Sequence, residues 1–469
     1  MTTLHRWAKW CALCLLFLAA AVLSPAQTFT SLHSFKGPDG ANPYTSFAQG
    51  PNGILYGTTI DGGPDGSGSI FAMDTFGDVL PLWNFCSNCS DGQFPVAPLV
   101  LAPDGYLYGT TQSGGTNGGF GTIFKISPTG GPLITLHSFS AIDGASPYSS
   151  LLPATDGNLY GTTNGGGVNN VGTIFKVTTT GQLTTLYNFC SAVNCGDGQF
   201  PVGPLIQGTD GNIYGTTHAG GNTLCQNGCG TIFRITPGGS YTTLHRFNKS
   251  DGDYPYGGVV EGLNGELYGT TGSGGANQAG SVFTLSPNGT LTTIHSFDGA
   301  GGGASPYAMS LGSDGNFYGT TSAGGIYGVY GTIFEITPDG TFTTLHSFDI
   351  KDGAVPYTGL LQSTTGLFYG TTYFGGGFND GTVFNLNSEL DPFVAFVVPA
   401  GRVGQSGGIL GQGFRGTTSV TINGLQMGFT VVSDTFLRAT IPMGATSGYV
   451  KVTTPGGTLT SNVPLRVIR

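Results

Sequence analysis

Short segments that alternate apolar and polar residues recur along the chain with a period of about 50 residues. In the third copy they span residues 148–152, 158–163, 172–177 and 183–189. They are rich in Val, Ile, Leu, Phe, Tyr and Thr, and turn dipeptides such as Asp156-Gly157 and Thr180-Gly181 separate them, which is typical of β-strands. The pattern predicts four short antiparallel strands per repeat and an all-β chain.

A Tyr-Gly-Thr-Thr motif marks each repeat at the same place. The seven copies begin at Tyr56, Tyr108, Tyr160, Tyr214, Tyr268, Tyr318 and Tyr369. Four strands in each of seven units predict a seven-bladed β-propeller, because the coils of a solenoid need fewer residues. Residues 28–35 match the fourth segment but precede any first segment, and the last unit stops after its third segment at 381–386. The N-terminal strand is therefore predicted to complete the last blade.

The repeat also resembles a known family. In every copy a Gly-Gly pair follows Tyr-Gly-Thr-Thr at a fixed offset, from Gly62-Gly63 in the first to Gly375-Gly376 in the last, and most copies continue into a Gly-Thr-Ile-Phe-like segment. These motifs resemble the Gloeo/Verruco (GloVer) tandem repeat over about residues 28–390, and we assign residues 27–390 to this domain. The resemblance implies an exported bacterial protein and carries no established activity.

A second domain is expected at residues 393–469, where the repeat stops. Short alternating segments lie between Gly and Pro turns there, which predicts a small β-sandwich. Their order, with the turn at residues 454–457 and a closing strand at 463–467, resembles an IPT/TIG immunoglobulin-like domain. That resemblance implies a spacer or interaction module.

Residues 1–26 have the pattern of a signal peptide. Arg6 and Lys9 precede an apolar run, and Ser24-Pro25-Ala26 provides the small residues of a cleavage site. An uncleaved membrane anchor is the alternative. We expect a periplasmic or extracellular protein that begins at Gln27 and has no membrane span in the mature chain. The formal net charge of −10 disfavours nucleic acid as a partner.

Six cysteines follow the signal peptide, in three close pairs. The pairs are Cys86 with Cys89, Cys190 with Cys195, and Cys225 with Cys229. In an exported chain such pairs predict disulfides within single loops. Zinc binding and redox catalysis are weaker alternatives, because the pairs belong to different repeats. No metal or other cofactor is predicted.

Histidines and aspartates each recur at one position of the repeat. Five histidines occupy one position of the fourth segment: His33, His137, His245, His295 and His346. An Asp-Gly-x-x-Pro motif follows that segment at Asp39, Asp91, Asp143, Asp197, Asp251 and Asp352. We interpret the histidines as packing residues and the aspartates as turn formers. A cation or sugar site lined by several of these aspartates is the alternative.

The residue after Tyr-Gly-Thr-Thr differs in each copy. It is Ile60, Gln112, Asn164, His218, Gly272, Ser322 or Tyr373. A constant framework with variable loop residues is typical of a binding surface, although exposed positions also drift. The candidate ligand-binding residues are Gln112, Asn164, His218 and Tyr373, with Tyr327 and Tyr330 of the sixth loop.

These patterns favour a non-enzymatic function. The chain carries no Gly-x-Ser-x-Gly, His-Glu-x-x-His or phosphate-loop motif, and no catalytic residue is assigned. The main hypothesis is an exported binding or scaffold protein whose propeller loop face binds a glycan, a peptide or an envelope protein. One alternative is a carbohydrate-active enzyme, a glycoside hydrolase or lyase that uses loop carboxylates such as Asp61 or Asp65. The other is a purely structural envelope protein.

Overall fold

A computed structural model describes residues 27–85 and 90–468. Apart from one 3-10 turn at Val193–Cys195, the regular elements of this part are all β-strands. The repeats form seven four-stranded antiparallel sheets, which we number 1 to 7. The predictions of an all-β chain and of four antiparallel strands per repeat are confirmed, and the fold is propeller-like.

The strands of the first four sheets follow one another along the chain after the N-terminal strand β1 (Thr28–Ser34). Sheet 1 contains β2 (Ala48–Gln49), β3 (Leu55–Thr59), β4 (Ser69–Met73) and β5 (Val79–Asn84). Sheet 2 contains β6 (Val100–Leu101), β7 (Leu107–Thr111), β8 (Thr122–Ile126) and β9 (Ile134–Ser138). Sheet 3 contains β10 (Leu152–Pro153), β11 (Leu159–Thr163), β12 (Thr173–Val177) and β13 (Leu183–Asn188). Sheet 4 contains β14 (Ile206–Gln207), β15 (Ile213–Thr217), β16 (Thr231–Ile235) and β17 (Tyr241–Arg246).

The remaining repeats have the same strand order, except that the seventh lacks a fourth strand of its own. Sheet 5 contains β18 (Val259–Glu261), β19 (Leu267–Thr271), β20 (Ser281–Leu285) and β21 (Leu291–Ser296). Sheet 6 contains β22 (Ala304–Leu311), β23 (Phe317–Ala323), β24 (Thr332–Ile336) and β25 (Phe342–Ser347). Sheet 7 contains β26 (Leu361–Gln362), β27 (Phe368–Thr372), β28 (Thr382–Asn387) and the N-terminal β1.

The first and last repeats are joined in the structure. Strand β1 pairs antiparallel with β28, so that Phe29 faces Leu386 and Ser34 faces Thr382. One apolar cluster lies between each pair of consecutive sheets, and a further cluster joins sheet 7 to sheet 1. The Thr371 hydroxyl of sheet 7 also donates a hydrogen bond to the Thr45 carbonyl, 3.0 Å away, in the segment that leads into sheet 1.

The first strand of most sheets is shorter than the sequence predicts. In the third repeat the prediction was residues 148–152, whereas β10 is limited to Leu152–Pro153. Proline at position 147 donates no hydrogen bond, and Ser149 is held by its side chain, whose hydroxyl lies 2.9 Å from the Thr162 hydroxyl. Residues 148–151 are therefore not part of the strand, and Ser149 is joined to the second strand through its side chain.

The second copy shows why the residues of Tyr-Gly-Thr-Thr recur in every repeat. The buried Tyr108 donates a 2.7 Å hydrogen bond to Asp104. A Cβ on Gly109 would lie 2.5 Å from Cζ of Phe124 on β8. The Thr111 hydroxyl lies 2.8 Å from that of Thr122 at the start of β8. The residues of the motif therefore stabilise the sheet through their packing and hydrogen bonds.

Four of the five recurrent histidines contact a recurrent aspartate, and His295 instead stacks on the Phe342 ring with centroids 4.1 Å apart, so both sets belong to this framework. His137 Nε2 lies 3.0 Å from an Asp143 oxygen. The equivalent pairs are His33 with Asp39, Trp83 with Asp91, Tyr187 with Asp197, His245 with Asp251, and His346 with Asp352. Each aspartate therefore binds a ring on the fourth strand.

Two of the three predicted disulfides are confirmed, Cys190–Cys195 and Cys225–Cys229. Both close within one loop, as expected. The predicted Cys86–Cys89 pair and the predicted signal peptide lie outside the described residues.

The C-terminal region forms two four-stranded sheets and a parallel strand pair. One sheet contains β29 (Ala395–Phe396), β31 (Ser406–Leu410), β35 (Phe436–Thr440) and β34 (Gly428–Ser433). The other contains β33 (Leu425–Gln426), β32 (Ser419–Ile422), β36 (Val450–Thr454) and β37 (Gly457–Thr460). The parallel pair is β30 (Ala400–Arg402) with β38 (Arg466–Ile468). A single apolar core that includes Phe414 and Leu437 joins the two sheets.

This region docks on the turns between the first and second strands of the repeats. Ser433 and Thr435 donate hydrogen bonds of 3.0 and 2.8 Å to the Pro51 carbonyl. Arg466 donates a 2.6 Å hydrogen bond to the Gly208 carbonyl. These turns lie at the opposite end of the second strands from the variable loops. No helix in the described part of the chain is long and apolar enough to cross a membrane.

Candidate functional site

The variable loops share one face of the repeats with the Asp-Gly-x-x-Pro loops. The backbone of Ser113, just after Tyr-Gly-Thr-Thr, pairs with that of Gln93 in the preceding Asp-Gly-x-x-Pro loop. Five other repeats pair the same positions: Ala41 with Asp61, Ala145 with Gly165, Gln199 with Ala219, Asp253 with Ser273, and Ala354 with Phe374. We call this surface the loop face.

A cavity of about 310 Å³ opens where the first strands of the repeats converge. Five half-buried tyrosines line it, each directly after the proline of its repeat: Tyr44, Tyr148, Tyr256, Tyr307 and Tyr357. The second and fourth repeats place Val96 and Val202 at the equivalent positions. We call this cavity the tyrosine channel.

The tyrosines are unevenly distributed around the channel. Tyr256, Tyr307, Tyr357 and Tyr44 come from four consecutive repeats, the fifth, sixth, seventh and first. The ring centroids of successive pairs are 5.2, 5.0 and 5.1 Å apart, so the four rings form a continuous arc. Tyr148 belongs to the third repeat, between the two that supply valines. The channel therefore has an aromatic side and a more aliphatic side.

Three of the six candidate binding residues contact tyrosines that line this channel. Gln112 donates a 2.8 Å hydrogen bond to the Tyr148 hydroxyl. His218 Nε2 lies 3.1 Å from the Tyr256 hydroxyl. The Tyr373 ring packs edge-on against Tyr357, with centroids 5.5 Å apart.

The other three candidates lie elsewhere. Asn164 is half-buried, and its backbone N–H donates to the Ser146 carbonyl. Tyr327 is 55% exposed at a loop tip. Tyr330 packs against the apolar cluster between sheets 6 and 7. The structure therefore does not bring these three side chains to the channel.

The titratable side chains of the channel are held in their neutral forms. Burial raises the pKa of Tyr44 to about 12, and burial also raises the pKa of Tyr307. The pKa values of Tyr148, Tyr256 and Tyr357 are raised as well, mainly by burial. These phenols are protonated at neutral pH, so their hydroxyls both donate and accept hydrogen bonds.

The acidic residues proposed for catalysis lie on the first loop, at the edge of this region. Asp65 is exposed. Asp61 is half-buried, and burial raises the pKa of its carboxyl. Burial raises the pKa of Tyr373, and the charge of Asp61 adds to that effect. In the described ranges, no group of three or more His, Cys, Asp or Glu side chains is arranged to hold a metal ion.

His218 provides a prediction about pH. Burial lowers the pKa of His218 from 6.5 to about 4, so the unfolded chain takes up this proton at higher pH than the folded protein does. The stability due to neutral His218 is therefore present above about pH 6.5 and is lost as the pH falls towards 4. The native protein should lose free energy of unfolding as the pH falls from 6.5 to about 4. Urea unfolding at several pH values should show that His218→Gln makes this loss smaller by up to about 3 kcal/mol. A pH dependence identical to that of the native protein would contradict this assignment.

The channel tyrosines were missed by the sequence analysis, although a signal was present. The residue after the proline of Asp-Gly-x-x-Pro is Tyr in four repeats and Val in two, and in the sixth repeat, which lacks the Asp of the motif, Tyr307 also follows a proline. Because the motif recurs, it was attributed to the framework as a whole. The residue directly after the motif is the one that lines the cavity.

Comparisons with known proteins identify the repeat. The profile of the Gloeobacter/Verrucomicrobia repeat matches residues 21–225 and 205–424. None of the curated proteins matches the sequence. A gluconolactonase structure from Xanthomonas campestris is 12% identical, with 78% of this chain and 92% of that chain covered and a TM-score of 0.42. An extracellular domain from B. thetaiotaomicron, described as part of a hybrid two-component system, is 13% identical, with 95% and 59% covered and a TM-score of 0.47.

Proposed function

The chain belongs to the Gloeobacter/Verrucomicrobia repeat family, and for this member we propose the function of an exported, non-enzymatic binding protein that holds its ligand in the tyrosine channel. In this proposal the seven sheets are the blades of a β-propeller. Residues 393–469 form an IPT/TIG-like sandwich that covers the face opposite the loop face. The ligand is a glycan, a peptide or an envelope protein.

One observation carries the proposal. Gln112, His218 and Tyr373 occupy the position that varies between repeats, and each contacts a tyrosine of the same channel. In this proposal the repeats supply a rigid scaffold, and three residues that differ between the repeats surround one cavity by contacting tyrosines that line it. Concave sites with aromatic walls and a few oriented polar groups are typical of ligand binding.

The two disulfides support export, because such bonds persist in oxidising compartments. We propose that residues 1–26 act as the signal peptide and that the mature protein is periplasmic or extracellular.

The geometry supports binding more directly than glycoside hydrolysis. Hydrolysis uses two carboxyl groups that flank the scissile bond. The lining of the channel consists of tyrosines, valines, prolines, serines and other neutral residues. Asp61 and Asp65 lie on a single loop next to the channel, and Asp65 faces solvent. A purely structural envelope role is the other hypothesis, and the experiment below separates it from binding.

Arrays of glycans and peptides test the proposed function with the full mature chain. We expect the native protein to bind members of one class, and Gln112→Ala combined with His218→Ala to weaken that binding about tenfold, equivalent to about 1.4 kcal/mol. Tyr327→Ala is the matched control, because its side chain lies on the same face but outside the channel. If the folded native protein binds nothing on either array, the structural role is favoured. If the double variant binds as well as the native protein, the binding site lies elsewhere.

A further inference from the structure

Two hydroxyl groups of the aromatic arc lie close together. Tyr44 and Tyr307 belong to the first and sixth repeats, with the seventh between them, yet their hydroxyl oxygens are only 3.5 Å apart. Tyr357 lies between the two rings in the arc. A ligand in the channel therefore meets closely spaced phenol hydroxyls, each of which can donate and accept.

The other side of the channel has a different chemistry. Val96 and Val202 present aliphatic groups there, and Pro98 and Pro204 lie beside them. Tyr148 adds one hydroxyl, whose position is fixed by the 2.8 Å hydrogen bond from Gln112. The cavity thus combines a hydroxyl-rich wall with a largely apolar wall.

The charges around the channel exclude some ligand classes. The phenols are neutral, and His218 is neutral above about pH 4. Besides burial, the charges of Asp61 and Asp253 contribute to the raised pKa values of Tyr373 and Tyr256, which places negative charge near the channel. This negative charge would repel an anionic ligand. Among the described residues, no cation lines the cavity to offset it.

We propose that the tyrosine channel binds the end of an uncharged oligosaccharide, an inference that rests on the proposed binding function. A neutral sugar presents hydroxyls along its edges and C–H groups on its faces, which match the two walls. The cavity volume of about 310 Å³ is at the small end for ligand sites, so a chain end fits better than a long internal segment.

A quaternary ammonium group is the competing ligand for an aromatic site. Such cations bind over the faces of aromatic rings. Here the Tyr44 and Tyr307 hydroxyls point towards each other, and the Tyr256 and Tyr307 rings stack on one another with 10° between their planes. This geometry favours a hydroxyl-bearing ligand.

Titration calorimetry on the full mature chain tests the inference. The probes are maltotriose, cellotriose and N,N′,N″-triacetylchitotriose, with trigalacturonate and tetramethylammonium chloride for comparison. We expect at least one neutral trisaccharide to bind and both charged probes to bind at least about tenfold more weakly. Tyr44→Phe and Tyr307→Phe each remove one hydroxyl and should weaken that binding about three- to tenfold. Tyr449→Phe, in the C-terminal region, should leave it unchanged.

Any of three results would overturn the inference. One is tighter binding of trigalacturonate or tetramethylammonium than of every neutral trisaccharide. The second is failure of all three neutral probes to bind at millimolar concentration, and the third is equal loss in the Tyr449→Phe control. If peptides on the array bind and lose affinity in the Gln112 and His218 variants, the proposed function stands while the oligosaccharide inference fails.

Discussion

Phe35→Ala is expected to lower the free energy of unfolding by about 3–5 kcal/mol, as measured by urea denaturation. Phe35 follows β1 and is 0% exposed. Its ring packs against Phe71 of sheet 1 at 5.3 Å, while its backbone N–H donates to the Gly381 carbonyl beside β28 of sheet 7. The side chain therefore lies at the junction of the first and last sheets.

Comparing Phe35→Ala with Phe139→Ala tests whether the first and last sheets pack together as neighbouring sheets do. Phe139 follows the fourth strand of sheet 2 and is equally buried in the cluster between sheets 2 and 3. In a closed array the two alanine variants should be similarly destabilised, and Phe76→Ala, at an 84% exposed position, should change little. A loss below about 1 kcal/mol for Phe35→Ala alone would mean that the N-terminal strand is not part of the folded array.

Gly144→Ala is expected to cost about 3–5 kcal/mol, the sum of overpacking and backbone strain. Gly144 follows Asp143 of the Asp-Gly-x-x-Pro motif and has a φ of +145°. A Cβ at this position would lie 2.5 Å from Cγ2 of Thr163, the buried second threonine of Tyr-Gly-Thr-Thr. The two repeat motifs therefore constrain each other.

Gly157→Ala separates the close contact from the backbone conformation. Gly157 also has a positive φ, +83°, but a Cβ there would meet nothing within 4 Å. We expect this variant to lose about 1 kcal/mol, measured in the same urea series. Equal losses in the two variants would show that the approach to Thr163 contributes nothing, contrary to the packing described above.

The strands that carry Tyr-Gly-Thr-Thr and the next two strands could be predicted from sequence to within about one residue. In the third repeat the predicted 158–163, 172–177 and 183–189 correspond to β11, β12 and β13. The first strand could not, because the apolar residues of 148–152 suggested a longer run of strand pairing than the structure has. In the structure Ser149 instead uses its side chain to bind Thr162.

The candidate site was predicted only in part. Loop variability selected Gln112 and His218, and in the structure both side chains contact tyrosines of the channel. Loop variability also selected Tyr330, which is partly buried and packs against the cluster between sheets 6 and 7. The position of Tyr307 beside Tyr44 depends on how the repeats are arranged around the channel, and no local pattern contains that information.

Carbon-13 NMR of protein labelled at the tyrosine Cζ tests the central claim most directly, because the chain has 20 tyrosines in distinct structural roles. Resonances are assigned by Tyr→Phe variants, and the tightest-binding neutral trisaccharide is then titrated. The account predicts shifts at the five channel tyrosines and little change at the seven tyrosines of Tyr-Gly-Thr-Thr. Shifts confined to tyrosines outside the channel, such as Tyr327 or Tyr449, would contradict it.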